Sequence, residues 1–328
     1  MSKGVAPVSR IIGLGVGIPE TVLSNKDLER MVDTSDEWIT SRTGIKERRI
    51  MKKGERTSDY CIRAAREAML DAGIEAEELD AIIIGTISGD MRFPSTAVFV
   101  QEAIGARNAA AWDVSATCSG FLFSLYNADA LIASGRARNV LVIGSEMLTP
   151  MVNWDDRSTC VLFGDAAGAA VLTRATDDRG ILAISIGSNG TYVDLLYSIG
   201  HGTASRNDNN NGDRFLFMNG NEVFRHAVRM LERTAFEVVE KAGLQPSDID
   251  WLIPHQANTR IIKATAERMG LPMEQVFLNI HKYGNTSSAS VPLAIYEARK
   301  EGKLTDNQLM LSVVFGGGFT WGGMVVRF

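Results

Sequence analysis

A segment near residue 72 returns 170 residues later. Ala72–Ile83 reads AGIEAEELDAII and Ala242–Ile253 reads AGLQPSDIDWLI. The same offset pairs IIGLGVGIP, from Ile11, with ILAISIGSN, from Ile181. It also pairs VLVIGSEM, from Val140, with MLSVVFGGG, from Met310. Each Ala-Gly copy follows an amphipathic run, DYCIRAAREAMLDAG in one half and AVRMLERTAFEVVEKAG in the other. One register shared by several elements means two copies of one unit and not a solenoid. The charged, turn-rich RATDDRG stretch (174–180) predicts the division, with halves 1–177 and 178–328.

The expected strands are nearly continuous apolar runs: AIIIGT (81–86), AAAWDVS (109–115), NVLVIGSE (139–146) and TCVLFGDAAGAAVL (159–172). Such strands are covered on both faces, which predicts an α/β fold with helices layered on sheets. DAAGAA predicts a break in the last run. Gly13-Leu-Gly15-Val-Gly17-Ile-Pro fails the dinucleotide fingerprint, because position 18 is Ile and Pro19 follows. It reads as a Gly-rich strand end.

Composition narrows the function. The formal net charge of −5 over 328 residues argues against nucleic acid as a partner. No apolar run is long enough to span a bilayer, so no membrane association is expected. The first residues lack the apolar region of a secretory leader. Cys61, Cys118 and Cys160 are far apart and form no CxxC pair, which predicts free thiols in a cytoplasmic setting. His201, His226, His255 and His281 have no metal-ligand spacing, so no metal is expected.

Three segments carry possible chemistry. In DVSATCSGFLFSLYNAD, Ser115 and Thr117 are capping types, and the apolar positions Phe121, Leu122, Leu125, Ala128 and Leu131 have helical spacing. Cys118 is then expected in the first turn, where the helix dipole lowers a thiol pKa. The plainer alternative is a small buried hydrophobe. In WLIPHQANTRIIKATAERMG, Pro254-His255-Gln-Ala-Asn is expected to end a strand and begin a helix with a basic outer face. In NIHKYGNTSSASVPLAIYEARKEG, Gly284-Asn285-Thr-Ser-Ser is expected to cap a helix running to about Lys300. An offset of 167 would place Asn285 opposite Cys118, allowing a three-residue length change. Asn285 is otherwise a turn residue, as Asn often is. The glycines of VVFGGGFTWGG are either a tight turn or a place where backbone N–H groups approach a reacting atom.

Together these segments resemble the thiolase-fold condensing enzymes, and most closely the β-ketoacyl-acyl-carrier-protein synthase III family. The resemblance rests on DTSDEWITSRTGIKERR (33–49), the cysteine segment, DRSTCVLFGDAAGAAVL (156–172), GNEVFRHAV (220–228), PHQAN (254–258), YGNTSSASVPLA (283–294) and FGGGFTWGG (315–323). It runs essentially end to end. It implies a thiolase-like fold of two pseudo-symmetric α/β halves in α-β-α-β-α layers. It also implies an acyltransferase that starts fatty-acid synthesis without a cofactor, using a coenzyme A thioester as substrate. Cys118 would take the acyl group, with the oxyanion held by the N–H groups of Cys118 and Gly317. His255 and Asn285 would hold the thioester carbonyl of malonyl-acyl carrier protein as CO₂ leaves.

Further residues carry over singly. Thr34, Trp38, Arg42, Arg157 and Asn258 resemble coenzyme A contacts. Arg225, Arg260, Lys263 and Arg268 resemble the docking face for an acidic carrier protein, which Glu267 weakens. Phe93 resembles a residue that reaches the acyl pocket of a second subunit, implying a homodimer. The Asn-rich stretch 205–215 departs from the pattern and reads as a loop. A non-decarboxylating thiolase would want a second cysteine near the C-terminus, and GGGFTWGG has none. A hydroxymethylglutaryl-CoA-type synthase would want a glutamate base, for which Glu146 is a weak candidate. An inactive carrier-binding subunit would not need Cys118, His255 and Asn285 intact.

Overall fold

The computed structural model describes residues 5–200 and 215–328. The Asn-rich stretch lies, apart from Phe215, outside the described residues. In chain order the strands are β1 (Ser9–Gly17), the hairpin β2 (Thr21–Ser24) and β3 (Glu47–Ile50), β4 (Ala81–Gly85), β5 (Ala110–Val114), β6 (Val140–Glu146) and β7 (Ala166–Arg174). They continue with β8 (Gly180–Ser188), the ribbon β9 (Leu196–Tyr197) and β10 (Phe217–Met218), β11 (Trp251–Leu252), β12 (Leu309–Gly316) and β13 (Thr320–Arg327). The helices are α1 (Asn25–Leu28), α2 (Asp36–Thr43), α3 (Thr57–Ala72), α4 (Thr96–Ile104) and α5 (Gly120–Ala133). They continue with α6 (Gly220–Lys241), α7 (Thr259–Met269), α8 (Ile280–Tyr283) and α9 (Ser290–Lys300).

One sheet has the order β1-β7-β6-β4-β5, and the other β8-β13-β12-β11. At the 170-residue offset, β1 matches β8, β4 matches β11 and β6 matches β12, so the two orders correspond strand for strand. The first sheet's β5 has only a one-residue counterpart, the parallel bridge between Leu252 and Val276. Helices α3 and α4 cover one outer face, and α6 and α7 cover the other. Between the sheets lie α5 and α9, whose Phe121, Leu125, Val291 and Ile295 share a core with Val142 of β6 and Val314 of β12. This is the layered, thiolase-like α/β fold. Each such fully buried aliphatic side chain contributes about 1.5–3 kcal/mol.

The glycines of β1 show why that strand carries so few side chains on one face. A Cβ on Gly13, Gly15 or Gly17 would fall within 2.3 Å of the carbonyl oxygens of Ala68, Ala64 and Tyr60. Strand periodicity puts those three glycines on one face, and α3 lies directly on it. The expected break at DAAGAA is not there. Ala166–Arg174 is one strand, with β1 and β6 antiparallel on its two sides. Gly168 admits Pro292 of α9, which an added Cβ would meet at 2.8 Å. The preceding Thr159–Leu162 forms turns instead of strand.

Candidate active site

Cys118 lies in a 3-10 turn, Thr117–Ser119, immediately before α5. Its counterpart, Ser287–Ala289, immediately precedes α9. Thr117 and Ser287 share a φ of 49°, uncommon for residues with a side chain and a store of about 1–3 kcal/mol of strain each. The offset between the turns is still 170, so Ser288 stands opposite Cys118. This corrects the sequence alignment that placed Asn285 there: no three-residue length change occurs. Ser115 and Thr117 do not cap the helix either. Thr117 Oγ1 instead donates to Gly317 O at 3.2 Å, tying the cysteine turn to the end of β12.

Histidine 255 lies on the connection from β11 to α7, four residues before the helix that the sequence expected it to open. Helix α7 begins at Thr259, capped by Asn258 Oδ1 accepting from the Arg260 N–H at 2.8 Å. The His255 N–H donates to Val313 O, which fixes the loop to β12. His255 Nδ1 is 2.6 Å from Ser290 Oγ, and the same oxygen accepts from the Gln256 N–H at 3.4 Å. Ser290 Oγ is placed to donate to Nδ1, the tautomer in which Nε2–H is the donor toward the cavity.

The Asn285 loop is held by both halves. Asn285 N donates to Leu162 O, and Asn285 O accepts from Gly164 N. Beneath it, Arg48 is fully buried and donates to Leu23 O, Asn25 Oδ1 and Val161 O. Asn285 Oδ1 accepts from the Ser287 N–H at 2.8 Å, which leaves the amide NH₂ to donate.

Cys118, His255 and Asn285 meet on the wall of one cavity of about 340 Å³. Its walls are mostly apolar, with Leu148, Phe163, Leu196, Phe224 and Phe315 among them. Burial sets the direction in which its titrating groups shift. Burial pushes the Cys118 thiol up to about 12; the nearby Glu146 carboxyl adds to this, and a hydrogen bond with Ser287 opposes it. Burial thus acts on the thiol in the direction opposite to the lowering expected from a helix dipole. Burial also lowers His255 to about 4, so it is a neutral donor at physiological pH.

The glycine turn makes the close approach expected of it, through Gly316 more tightly than Gly317. A Cβ on Gly316 would sit 2.9 Å from Cys118 N and 2.3 Å from Thr117 Oγ1. On Gly317 the nearest atom would be Leu196 O at 3.0 Å. Backbone amides beside a nucleophile, with side chains excluded, are the makings of an oxyanion site.

Known proteins match this chain in sequence and fold over nearly its whole length. The families described as 3-oxoacyl-[acyl-carrier-protein (ACP)] synthase III and its C-terminal part match residues 112–190 and 239–328. A β-ketoacyl-[acyl-carrier-protein] synthase III of Symbiobacterium thermophilum is 51% identical over 326 residues, covering 98% of each chain. The chain belongs to the β-ketoacyl-acyl-carrier-protein synthase III family. It is a condensing acyltransferase. The crystal structure of the Aquifex aeolicus 3-oxoacyl-[acyl-carrier-protein] synthase III superposes with a TM-score of 0.92 at 50% identity, covering 98% of this chain and all of that one. The priming β-ketosynthase of the R1128 polyketide pathway gives 0.93 at 34% identity, covering 100% of this chain and 98% of that one.

Around this synthase III centre, Arg42, Asn258 and Arg260 line the cavity, and Arg42 and Arg260 are exposed at its mouth. Trp38 stands beside that mouth, with the guanidinium carbons of Arg42 and Arg157 at 5.4 and 5.8 Å from its ring centroid. Arg157 also donates to Asp33 O at 2.7 Å. Thr34, just before α2, keeps a buried Oγ1 without a hydrogen-bond partner. Of the four predicted docking residues, Arg225 pairs with Glu222 at 2.8 Å and Arg268 pairs with Glu232. Arg260 lies over the Phe224 ring, and no carboxylate pairs with Arg260 or Lys263 among the described residues. Phe93 is 84% exposed and lies away from the cavity wall of its own chain. Among the described residues no group of His, Cys, Asp and Glu suits a metal ion, and no helix is long and apolar enough to cross a membrane.

Sequence reasoning missed Ser290 and Ser287. Each has a signal in the repeat, because at the 170-residue offset they face Gly120 and Thr117.

Proposed function

We propose that this chain condenses an acyl-CoA primer with malonyl-acyl carrier protein, releasing CO₂ and forming the first β-ketoacyl chain of fatty-acid synthesis. The observation that carries this reading is the convergence of Cys118, neutral His255 and Asn285 on one mostly apolar cavity with Arg42 and Arg260 at its mouth. Cys118 attacks the primer thioester and keeps the acyl group as a thioester. The N–H groups of Cys118 and Gly317 receive the oxyanion, where one such donor is worth about 3–4 kcal/mol. His255 Nε2–H and the Asn285 NH₂ then hold the malonyl thioester carbonyl as it becomes an enolate. Decarboxylation creates the carbanion, so no base is needed to abstract a carbon-bound proton. The carbanion attacks the acyl carbonyl and displaces Cys118.

Trp38, Arg42 and Arg157 suit coenzyme A as an aromatic face flanked by two guanidinium groups, with Thr34 and Asn258 beside them. Arg260 and Lys263 are the part of the basic face left for an acidic carrier protein. A homodimer would cover Phe93 and bring it to the partner's acyl pocket. The reading places the work in the cytoplasm, in halves divided at 177/178.

Half-reactions test it. His255→Ala and Asn285→Ala should still take up the acyl group on Cys118, and should release CO₂ from malonyl-carrier protein about 10²–10³-fold more slowly. Full CO₂ release by either variant would remove that residue from the mechanism.

A further inference from the structure

Glu146, the last residue of β6, is fully buried and takes no part in the steps proposed for Cys118, His255 and Asn285. It does not line the cavity, so it meets no substrate. Its carboxyl is spent instead on the connection that leaves β4. Both of its oxygens accept from the Ile87 N–H at 3.3 Å, and one accepts from Ser88 Oγ at 2.5 Å. Ser88 Oγ in turn accepts from Met147 N at 2.8 Å, a second tie between the end of β6 and the start of that connection.

The residue held in this way stands on the cavity wall. Ile87 lines the cavity with Leu148 and Phe163, and packs with them in one apolar cluster. The cationic side chains of the cavity, Arg42 and Arg260, are exposed at its mouth. A carbon chain carried on Cys118 is therefore best matched by the Ile87 part of the wall.

The repeat argues that an acid here is not a requirement of the fold. At the 170-residue offset Ile87 corresponds to Ala257, which also lines the cavity, and Glu146 corresponds to Gly316. The second connection is held by its own Gln256, whose Nε2 donates to Pro254 O at 2.8 Å and whose Oε1 accepts from Asn279 N at 3.2 Å. The first half fastens the equivalent place with a carboxyl from the neighbouring strand, β6. The rest of the first connection has ties of its own. Thr57 Oγ1 donates to Ser88 O at 2.5 Å, and the Ser58 N–H and Oγ donate to Asp90 at 2.9 and 2.6 Å. Loss of the Glu146 carboxyl would thus free Ile87 and the Ser88 hydroxyl while α3 keeps the remainder.

We infer that Glu146 is a positioning residue that sets the length of chain Cys118 accepts, by fixing the backbone of Ile87 at the cavity wall. For acyl primers the inference rests on the condensing-enzyme reading. A wall side chain discriminates by length only while its backbone cannot give way, and a buried carboxyl whose hydrogen bonds are filled holds that backbone rigidly. One methylene is then worth about 10–200-fold in rate.

The test follows single-turnover labelling of Cys118 by intact mass, with Cys118→Ser as the blank. It uses straight-chain acyl-CoAs and, separately, straight-chain alkyl methanethiosulfonates, which probe the wall without the condensing chemistry. The quantity read is the ratio between the rate of the fastest reagent of each series and that of the reagent about four carbons longer. Glu146→Ala should shrink this ratio about tenfold, and Ser88→Ala about threefold. Ile87→Ala should shrink it at least as much as Glu146→Ala. The Glu146→Ala/Ile87→Ala double variant should go no further than Ile87→Ala alone, because the two residues act through one contact. Glu146→Gln keeps an oxygen for the Ile87 N–H and should return most of the wild-type ratio. A purely structural Glu146 would slow every reagent by the same factor in Glu146→Ala and leave the ratio in place, which overturns the inference. So would additive effects in the double variant. Should Glu146→Ala fail to fold, Ser88→Ala decides by the same ratio. A wild type whose length dependence toward methanethiosulfonates is flattened by Glu146→Ala, yet which accepts no acyl group, would defeat the condensing-enzyme reading and leave the role of Glu146 standing.

Discussion

The two halves repeat one scaffold and use it in opposite ways. In the first half, Gly85 and Gly120 occupy the positions that His255 and Ser290 occupy in the second. A Cβ on Gly85 would lie 2.3 Å from the Gly120 carbonyl carbon, so β4 and α5 meet backbone to backbone. In the second half the same junction is opened by an imidazole, which Ser290 holds at 2.6 Å. The nucleophile shows the reverse asymmetry: the first half has Cys118 on its turn and the second has Ser288. The lesson is that pseudo-symmetry brings two equivalent turns and strand ends to one place, and side-chain differences between equivalent positions then divide the labour. On the proposed mechanism, acyl transfer falls to the first half and carbonyl activation to the second.

Variants at these paired positions can break or sharpen that division. The largest effect is expected at the nucleophile. Cys118→Ser should cut acyl transfer by roughly 10⁴-fold or more while the circular dichroism spectrum and melting temperature stay close to wild type. Normal condensation by this variant would refute the assignment. Gly316→Ala comes next. Its methyl would press on Cys118 N and Thr117 Oγ1, so single-turnover acylation should fall about 10²–10³-fold. Gly85→Ala breaks the closed junction itself. Steric conflict with Gly120 should destabilise the protein by about 2–4 kcal/mol in chemical denaturation, an overpacking cost in a rigid core. Ser290→Ala should be milder. It removes the partner that fixes the His255 tautomer, at about 1–2 kcal/mol, so decarboxylation should slow about tenfold.

The smallest expected effect concerns pH, and its sign follows from burial. His255 is lowered from 6.5 to about 4, so its buried neutral form adds stability that is present above pH 6.5 and lost as pH falls through 4. Glu146 is raised from 4.5 to about 8, so its contribution is complete below pH 4.5 and is lost as pH rises through 8. The acid limb of malonyl decarboxylation should accordingly lie near pH 4. A limb near 6.5 would mean that water reaches His255.

How much of this was legible in the sequence depended on the range of the signal. The repeat marked the matching strands, and Gly73 and Gly243, both at positive φ after α3 and α6, ended the helices where the Ala-Gly copies said they would. The three site residues stood out because their motifs are long. What failed was local. The start of α7 was read at Pro254, because nothing near His255 shows that its N–H is taken by β12, residues 309–316. DAAGAA was read as a break because small residues look like turns, whereas here they make room for Pro292. The helix dipole that lowers a thiol is a local property, whereas the burial that raises Cys118 exists only once both halves have folded. Ser287 escaped notice for the same reason, and Glu146 carried no local signal beyond that of a weak candidate base: the two lie 141 residues apart in sequence (287 − 146).

The most direct test of the account is intact-protein mass spectrometry after incubation with a panel of acyl-CoAs, followed by peptide mapping. The account predicts a single acyl adduct on Cys118, absent in Cys118→Ser and discharged as a β-ketoacyl product when malonyl-carrier protein is added. An adduct on Cys61 or Cys160, or no adduct from any donor, would contradict it.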